Sequence, residues 1–284
     1  MKQVSLPDGS AVPALGLGTW KIGERASAKA AEVAALRLAL ELGYRLFDTA
    51  EMYGEGGAET LLGQALAEAQ RGSGAAREEL FIVSKVYPHN ASERGVVAAC
   101  ERSLQRLRLD HLDLYLLHWR GQYPLAETLR GFEQLQQRGL IRRWGVSNFD
   151  ADDMRELAAL PGAEGCMTNQ VYYSLSQRGI EFDLLPWQRA HRMPLMAYSP
   201  IDQGTLAAAR GLAPLAERHR ATPAQIALAW LLARGDVIAI PKAVRETHLR
   251  DNLAAAAIEL SAADLAELDR LFPPPTRKQS LAML

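Results

Sequence analysis

The chain has almost no charge of one sign to spare: 32 Lys and Arg stand against 33 Asp and Glu in 284 residues, a formal net charge of −1. Without a basic surplus there is no electrostatic footprint for a nucleic acid or an anionic membrane surface, so neither is expected as a partner. Long apolar runs are missing too. The longest, Ile226 to Ala233, has eight residues, whereas a spanning helix takes roughly 20. Residues 1–9 lack the apolar core of a secretion signal. Cysteine is scarce, and both residues, Cys100 and Cys166, lie among apolar or small neighbours with no metal-ligand spacing. They read as reduced core thiols of a cytoplasmic protein. No Pro/Gly/Ser-rich linker separates two zones of composition, so residues 1–284 are expected to form one domain, a size that α/β barrels reach. A hydrophobic fraction of 48% with 23% charged residues excludes a disordered or fibrous chain.

What is present is a rhythm. Short runs rich in β-branched, aromatic and aliphatic residues recur at 15–18, 45–48, 80–85, 112–118, 141–147, 167–171, 194–199 and 236–240. Helical patterns fill the intervals. In residues 92–109 the positions Val96, Ala99, Cys100, Ser103, Leu104 and Leu107 fall on one face of a helix. Thr222-Pro223-Ala224-Gln225 reads as a capping box with proline at the first helical position, and Ser261-Ala262-Ala263-Asp264 as a second start. Eight strand–helix units are the closing number of a parallel (β/α)8 TIM barrel. An open doubly wound sheet would carry a G-x-G-x-x-G turn after an early strand, and Gly16-Leu17-Gly18-Thr19-Trp20 cannot serve as one. Residues 3–14, with Pro7-Asp8-Gly9 between alternating stretches, predict an N-terminal β-hairpin capping the barrel's N-terminal end.

Barrels of this kind place their sites at the C-terminal ends of the strands. Seven successive ends carry polar groups: Asp48-Thr49 with Tyr53 beyond, Lys85, His118-Trp119, Ser147-Asn148, Asn169-Gln170, Tyr198-Ser199 and Pro241-Lys242. Singly each has a plain explanation, since a lysine can close a strand in solvent and an aspartate can cap a turn. Together, a lysine held charged by an aspartate beside a tyrosine favours the phenolate and should lower the tyrosine's pKa. Such a group suits polarising and protonating a carbonyl oxygen.

The segment Gly43-Tyr44-Arg45-Leu46-Phe47-Asp48-Thr49-Ala50-Glu51-Met52-Tyr53 resembles the signature of the aldo-keto reductases, and Glu59-Thr60-Leu61-Leu62-Gly63 continues it. Ile82 to Lys85, Asp113 to Trp119, Gly145 to Phe149, Asn169 to Val171 and Ile240 to Lys242 agree in order. The resemblance implies a catalytic tetrad of Asp48, Tyr53, Lys85 and His118. Tyr53 would be the general acid, Lys85 would tune it, and His118 would orient the substrate. It implies NADPH as cofactor, bound by Thr19, Ser147, Asn148, Gln170, Tyr198, Ser199, Lys242, Arg245, His248, Asp251 and Asn252, with Tyr198 stacked on the nicotinamide. Trp20, Met52 and Trp119 would wall the substrate pocket. Two positions depart from the family pattern, Ala243 in place of a serine and His248 in place of an arginine near the adenosine 2′-phosphate.

The likeness is to short bacterial-type members acting on small carbonyl substrates: 2-oxoaldehydes such as methylglyoxal, aromatic aldehydes or keto-sugars. A monomer is expected from it. Arg120 and Gln122 could favour an anionic or hydroxylated substrate. Other readings are a metal-dependent hydrolase, opposed by the missing His-x-His at strand one, and a Schiff-base lyase, opposed by an aspartate that keeps Lys85 protonated. A further alternative is a non-catalytic nicotinamide-binding barrel acting as a redox sensor or accessory subunit.

Overall fold

Residues 2–71 and 75–284 are described by the structure, a computed structural model. A hairpin comes first, β1 (Gln3–Ser5) against β2 (Ala11–Pro13), with Val4 opposite Val12. Gly9 at φ +84° makes the reversal that a Cβ would disfavour, and its N–H donates to the Leu6 carbonyl at 3.0 Å. Asp8 on this turn pairs with Arg143 at 2.6 Å. Arg143 immediately precedes a barrel strand, which fixes the hairpin at the N-terminal end.

The eight apolar runs are eight parallel strands: β3 (Leu17–Gly18), β4 (Leu46–Asp48), β5 (Phe81–Val86), β6 (Leu114–Leu117), β7 (Trp144–Ser147), β8 (Cys166–Tyr172), β9 (Leu195–Tyr198) and β10 (Val237–Ala239). They pair in sequence order. The curled sheet closes through parallel bridges between Leu15 and Ala239 and between Gly18 and Lys242. At this seam the Gly18 N–H donates to the Pro241 carbonyl at 3.0 Å, and a Cβ on Gly18 would stand only 2.8 Å from the Ile240 carbonyl oxygen. Nearly every strand residue is buried, as expected where side chains face the barrel interior on one side and helices on the other.

Helices α1 (Lys29–Glu41), α2 (Gly57–Gln70), α3 (Glu93–Leu107), α4 (Leu125–Gln137), α5 (Ala151–Ala158) and α6 (Leu184–Ala190) follow β3 to β8 in turn. Two follow β9, α7 (Ala213–Arg218) and α8 (Pro223–Leu232), and two follow β10, α9 (Glu246–Ala254) and α10 (Ala262–Leu271). The buried face of α3 is Val96, Ala99, Cys100, Ser103, Leu104 and Leu107, the set its spacing predicts. Each large aliphatic among them contributes about 1.5–3 kcal/mol by leaving water. The Thr222 box is formed: its hydroxyl accepts from Gln225 N at 3.2 Å, and Gln225 Oε1 accepts from Thr222 N at 2.8 Å. The Ser261–Asp264 box is formed likewise. Cys100 and Cys166 are buried free thiols, with burial pushing the Cys166 pKa to about 12. Among the described residues no helix is long and apolar enough to cross a membrane.

Candidate active site

The chain leaves β4 at Asp48 and turns through a short 3-10 segment, Tyr53–Gly56, in which Gly54, Glu55 and Gly56 have φ of 58°, 52° and 86°. The turn just before it, closed by the Tyr53 N–H on the Ala50 carbonyl at 3.1 Å, brings Tyr53 toward β5. Lys85 on β5 is fully buried. Its ammonium group donates to Asp48 Oδ2 at 2.7 Å and to the Thr49 carbonyl at 2.9 Å, and lies 3.2 Å from the Tyr53 hydroxyl. Those are all the donors an ammonium has. The Tyr53 oxygen therefore accepts from Lys85, and its own proton points elsewhere. Asp48 Oδ1 accepts from Gln170 Nε2 at 2.8 Å, so both carboxylate oxygens face donors, the arrangement of an ionised carboxylate.

Burial alone would lower the Lys85 pKa, but Asp48 and Tyr53 hold it above the usual lysine value. For Asp48, burial pushes the carboxyl upward against the pull of Lys85 and Gln170. Tyr53 departs from the sequence expectation. Lys85 does pull its pKa down, yet burial is the larger effect and Asp48 adds to it, so the net shift is upward. His118, at the end of β6, has its ring centroid 5.7 Å from that of Tyr53, edge to face. Burial and the Lys85 charge drive its pKa well below the ordinary histidine value, so the ring is neutral. Its Nδ1 is buried without a hydrogen-bond partner. The structure thus brings Asp48, Tyr53, Lys85 and His118 to one rim.

Thr19 is bound there as well, its N–H and hydroxyl both donating to the Asp48 carbonyl, at 2.9 and 3.0 Å. Asn148, at φ +58°, donates to the His118 carbonyl at 3.1 Å and accepts from the Tyr198 hydroxyl at 2.9 Å. The Ser147 hydroxyl donates to the Gln170 carbonyl at 2.8 Å. Tyr198 stacks on Tyr172 with centroids 5.6 Å apart, and Ser199 follows at φ 47°.

A second cluster lies along the seam. Lys242 bridges to Gly18, and Arg245 stands at the N-cap of α9. Arg245 Nη2 lies 2.8 Å from His248 Nε2, a contact in which the guanidinium donates. Lys242 is pushed below the usual lysine range by partial burial, with Lys21 and Arg25 adding repulsion against Glu32. Lys21, Arg25, Lys242 and Arg245 form no ion pair with a carboxylate among the described residues, whereas most arginines elsewhere do. Four cations without a carboxylate partner, three of them near one another and Arg245 at the N-cap of α9, can receive an anion. Farther along α9, Asn252 is buried, and the Asp251 carbonyl accepts from Gln225 Nε2 at 3.0 Å.

Trp20 and Met52 are half-buried beside Thr19 and Tyr53 in the chain. Trp119 lies 4.8 Å from the His118 ring and 5.3 Å from Tyr87. Tyr87, Lys21 and Arg25 were not singled out by the sequence, because only the fold carries them to the rim. Arg120, considered for substrate, instead binds α5: its guanidinium meets both Glu156 oxygens at 2.6 Å and Asp153 at 3.1 Å.

Barrel and rim together define an oxidoreductase of the carbonyl-reducing kind. A family model described as "Aldo/keto reductase family" matches residues 14–272, and the chain belongs to that family. It is 48% identical to the methylglyoxal reductase YeaE of Escherichia coli K12, over 100% of this chain and 99% of the relative. With the glyoxal reductase of Bacillus subtilis it shares 38% identity over 94% of this chain and 92% of that one. The crystal structure of an aldo-keto reductase from Klebsiella pneumoniae in complex with NADPH superposes with a TM-score of 0.94, at 47% identity, covering 100% and 99% of the two chains.

Proposed function

We propose that this protein reduces the carbonyl group of small aldehydes and ketones with NADPH, 2-oxoaldehydes such as methylglyoxal foremost, and that Tyr53 donates the proton. The observation that carries the reading is the Tyr53 hydroxyl, 3.2 Å from a lysine whose other donors are taken by Asp48 and Thr49. The substrate class rests on the names of the two curated relatives.

The seam fits a phosphorylated dinucleotide, because Lys21, Arg25, Lys242 and Arg245 are free to meet its phosphates. Ser147, Asn148 and Gln170 offer hydroxyl and amide groups to a carboxamide, and Tyr198 offers a ring face. Thr19 and Ser199 flank that end, while Asp251 and Asn252 serve the adenine end with His248 close by. When bound, NADPH supplies the hydride to the carbonyl carbon.

The rest falls to the chain's own side chains. A raised pKa keeps Tyr53 protonated, the state an acid requires. As its proton passes to the carbonyl oxygen, the phenolate left behind is stabilised by Lys85, which Asp48 keeps charged. His118, being neutral, orients the carbonyl by hydrogen bonding without competing as the acid. Trp20, Met52 and Trp119 wall the pocket. We take the enzyme to be a single-domain, cytoplasmic monomer, and its two free thiols suit a reducing compartment.

The test is NADPH oxidation by the purified protein with methylglyoxal, benzaldehydes and keto-sugars. Turnover of methylglyoxal is expected, and no turnover with any of these carbonyls would overturn the proposal.

A further inference from the structure

Glu51 lies between Asp48 and Tyr53 in the chain, is buried, and has no part in the chemistry described so far. Its surroundings are unusual for a loop carboxylate. Beyond β4 the parallel ladder with β5 runs on: Thr49 N–H donates to the Val83 carbonyl at 2.9 Å, and Glu51 N–H to the Lys85 carbonyl at 3.3 Å. The next rung of a parallel ladder would join Tyr87 N–H to the Glu51 main-chain carbonyl. Instead the Glu51 side chain takes that place, with Oε1 accepting from Tyr87 N at 2.8 Å. The ladder is thus completed by a side chain while the backbone turns away, through Tyr53 N–H to the Ala50 carbonyl at 3.1 Å. That turn delivers the Tyr53 hydroxyl to Lys85.

The same oxygen also accepts from Asn90 Nδ2 at 3.0 Å. It therefore fixes the loop that follows β5 at both ends, and Tyr87 on that loop packs edge to face on Trp119 with centroids 5.3 Å apart. Glu51 Oε2 lies 3.5 Å from Arg102 of α3, at the protein surface.

We propose that Glu51 is a positioning residue for the reduction, one carboxylate oxygen setting both the turn that carries Tyr53 and the aromatic wall that faces the substrate. The proposal rests on the proton-donor reading of Tyr53 given above. The Glu51 side chain forms its hydrogen bonds and ion pair with Tyr87, Asn90 and Arg102 rather than with Tyr53 or Lys85, so its effect passes through backbone placement. Misplacing a reacting group by about 1 Å costs on the order of 10²-fold in rate.

The experiment compares Glu51→Ala, Glu51→Gln and Glu51→Asp with the wild type, reading kcat and KM for methylglyoxal, Kd for NADPH by fluorescence, and the urea midpoint. Glu51→Ala is expected to lower kcat by about 10²-fold and raise the aldehyde KM while leaving the NADPH Kd unchanged. Glu51→Gln keeps an oxygen that accepts from Tyr87 N–H and should recover most of kcat. Glu51→Asp keeps the charge but is a methylene too short to reach, so it should fold and still lose kcat by about 10²-fold, which keeps the test readable if the alanine variant fails to fold. Wild-type kcat in Glu51→Asp, or Glu51→Gln as impaired as Glu51→Ala, would overturn the proposal. Tyr53→Phe run in parallel separates the two readings. An inactive Tyr53→Phe beside a fully active Glu51→Ala refutes only the role of Glu51, whereas an active Tyr53→Phe refutes the proton donor itself.

Discussion

Replacing Lys85 with methionine keeps the length of the side chain and removes its ammonium, with consequences for stability as well as rate. Asp48 is 2% exposed and its Oδ2 is 2.7 Å from Lys85 Nζ. Without that partner a carboxylate is left in the barrel with only Gln170 to satisfy it. Breaking a buried pair from one side costs about 3–5 kcal/mol. The pH dependence has a definite sign. Losing Lys85 raises the folded-state pKa of Asp48 further above its unfolded value of about 3.9. A group raised in the folded state contributes stability below the unfolded pKa, and that stability is lost as pH rises toward the folded pKa, by about 1.4 kcal/mol per unit. Lys85→Met should therefore approach wild-type stability near pH 4 and fall away from it toward pH 7. Adding Asp48→Asn removes the orphaned charge, so the double variant should regain about 2–4 kcal/mol at pH 7 while staying inactive. Urea unfolding at pH 4, 5.5 and 7, with wild type and Asp48→Asn completing the cycle, measures this. A double variant no more stable than Lys85→Met at pH 7 would refute the claim that Asp48 is an ionised partner.

Tyr53→Phe preserves the ring and removes the donor; kcat should fall by 10² or more, on the order expected for general acid catalysis, and fluorescence titration should find NADPH binding intact. His248→Arg puts a permanent cation beside Arg245 and should tighten NADPH, but not NADH, by about 1 kcal/mol; equal tightening of both cofactors would mean that position 248 does not meet the 2′-phosphate. Thr222→Ala removes the hydroxyl that accepts from Gln225 N–H and should cost about 1 kcal/mol, read as a fall of roughly 2 °C in melting temperature with kcat unchanged.

The strands were legible because parallel strands buried on both faces read as apolar runs: each run from 45–48 to 236–240 overlaps its strand, with β5 passing its run by one residue and β8 by one residue at each end. The first, Leu15 to Gly18, was faint because β3 is only two residues long and its glycines serve the seam rather than the core. Caps at Thr222 and Ser261 could be read because the partner lies three residues away. What escaped depends on contacts far along the chain. Arg120 meets its acids on α5, and Lys21 and Arg25 gain importance only when the barrel sets them beside Lys242. The direction of the Tyr53 shift escaped for a different reason: sequence names the neighbouring lysine but not the depth of burial that outweighs it.

Gly18 and Lys242 belong to the first and last strand–helix units, and the seam that joins them is the longest loop the chain must close. Closure of that kind is slow to form, because its entropy is lost before any contact compensates. The cations gathered for an anion lie on both sides of this seam, Lys21 and Arg25 after β3, Lys242 and Arg245 after β10. A dinucleotide held between them, as proposed above, would act as a staple joining the first and last strands of the barrel. By mass action a ligand at a hundredfold its Kd adds about 2.7 kcal/mol to the folded state. The seam amides of Gly16, Gly18 and Ala239 are where slowed hydrogen exchange should register it, so cofactor supply would set how long the closed barrel survives as well as how fast it turns over.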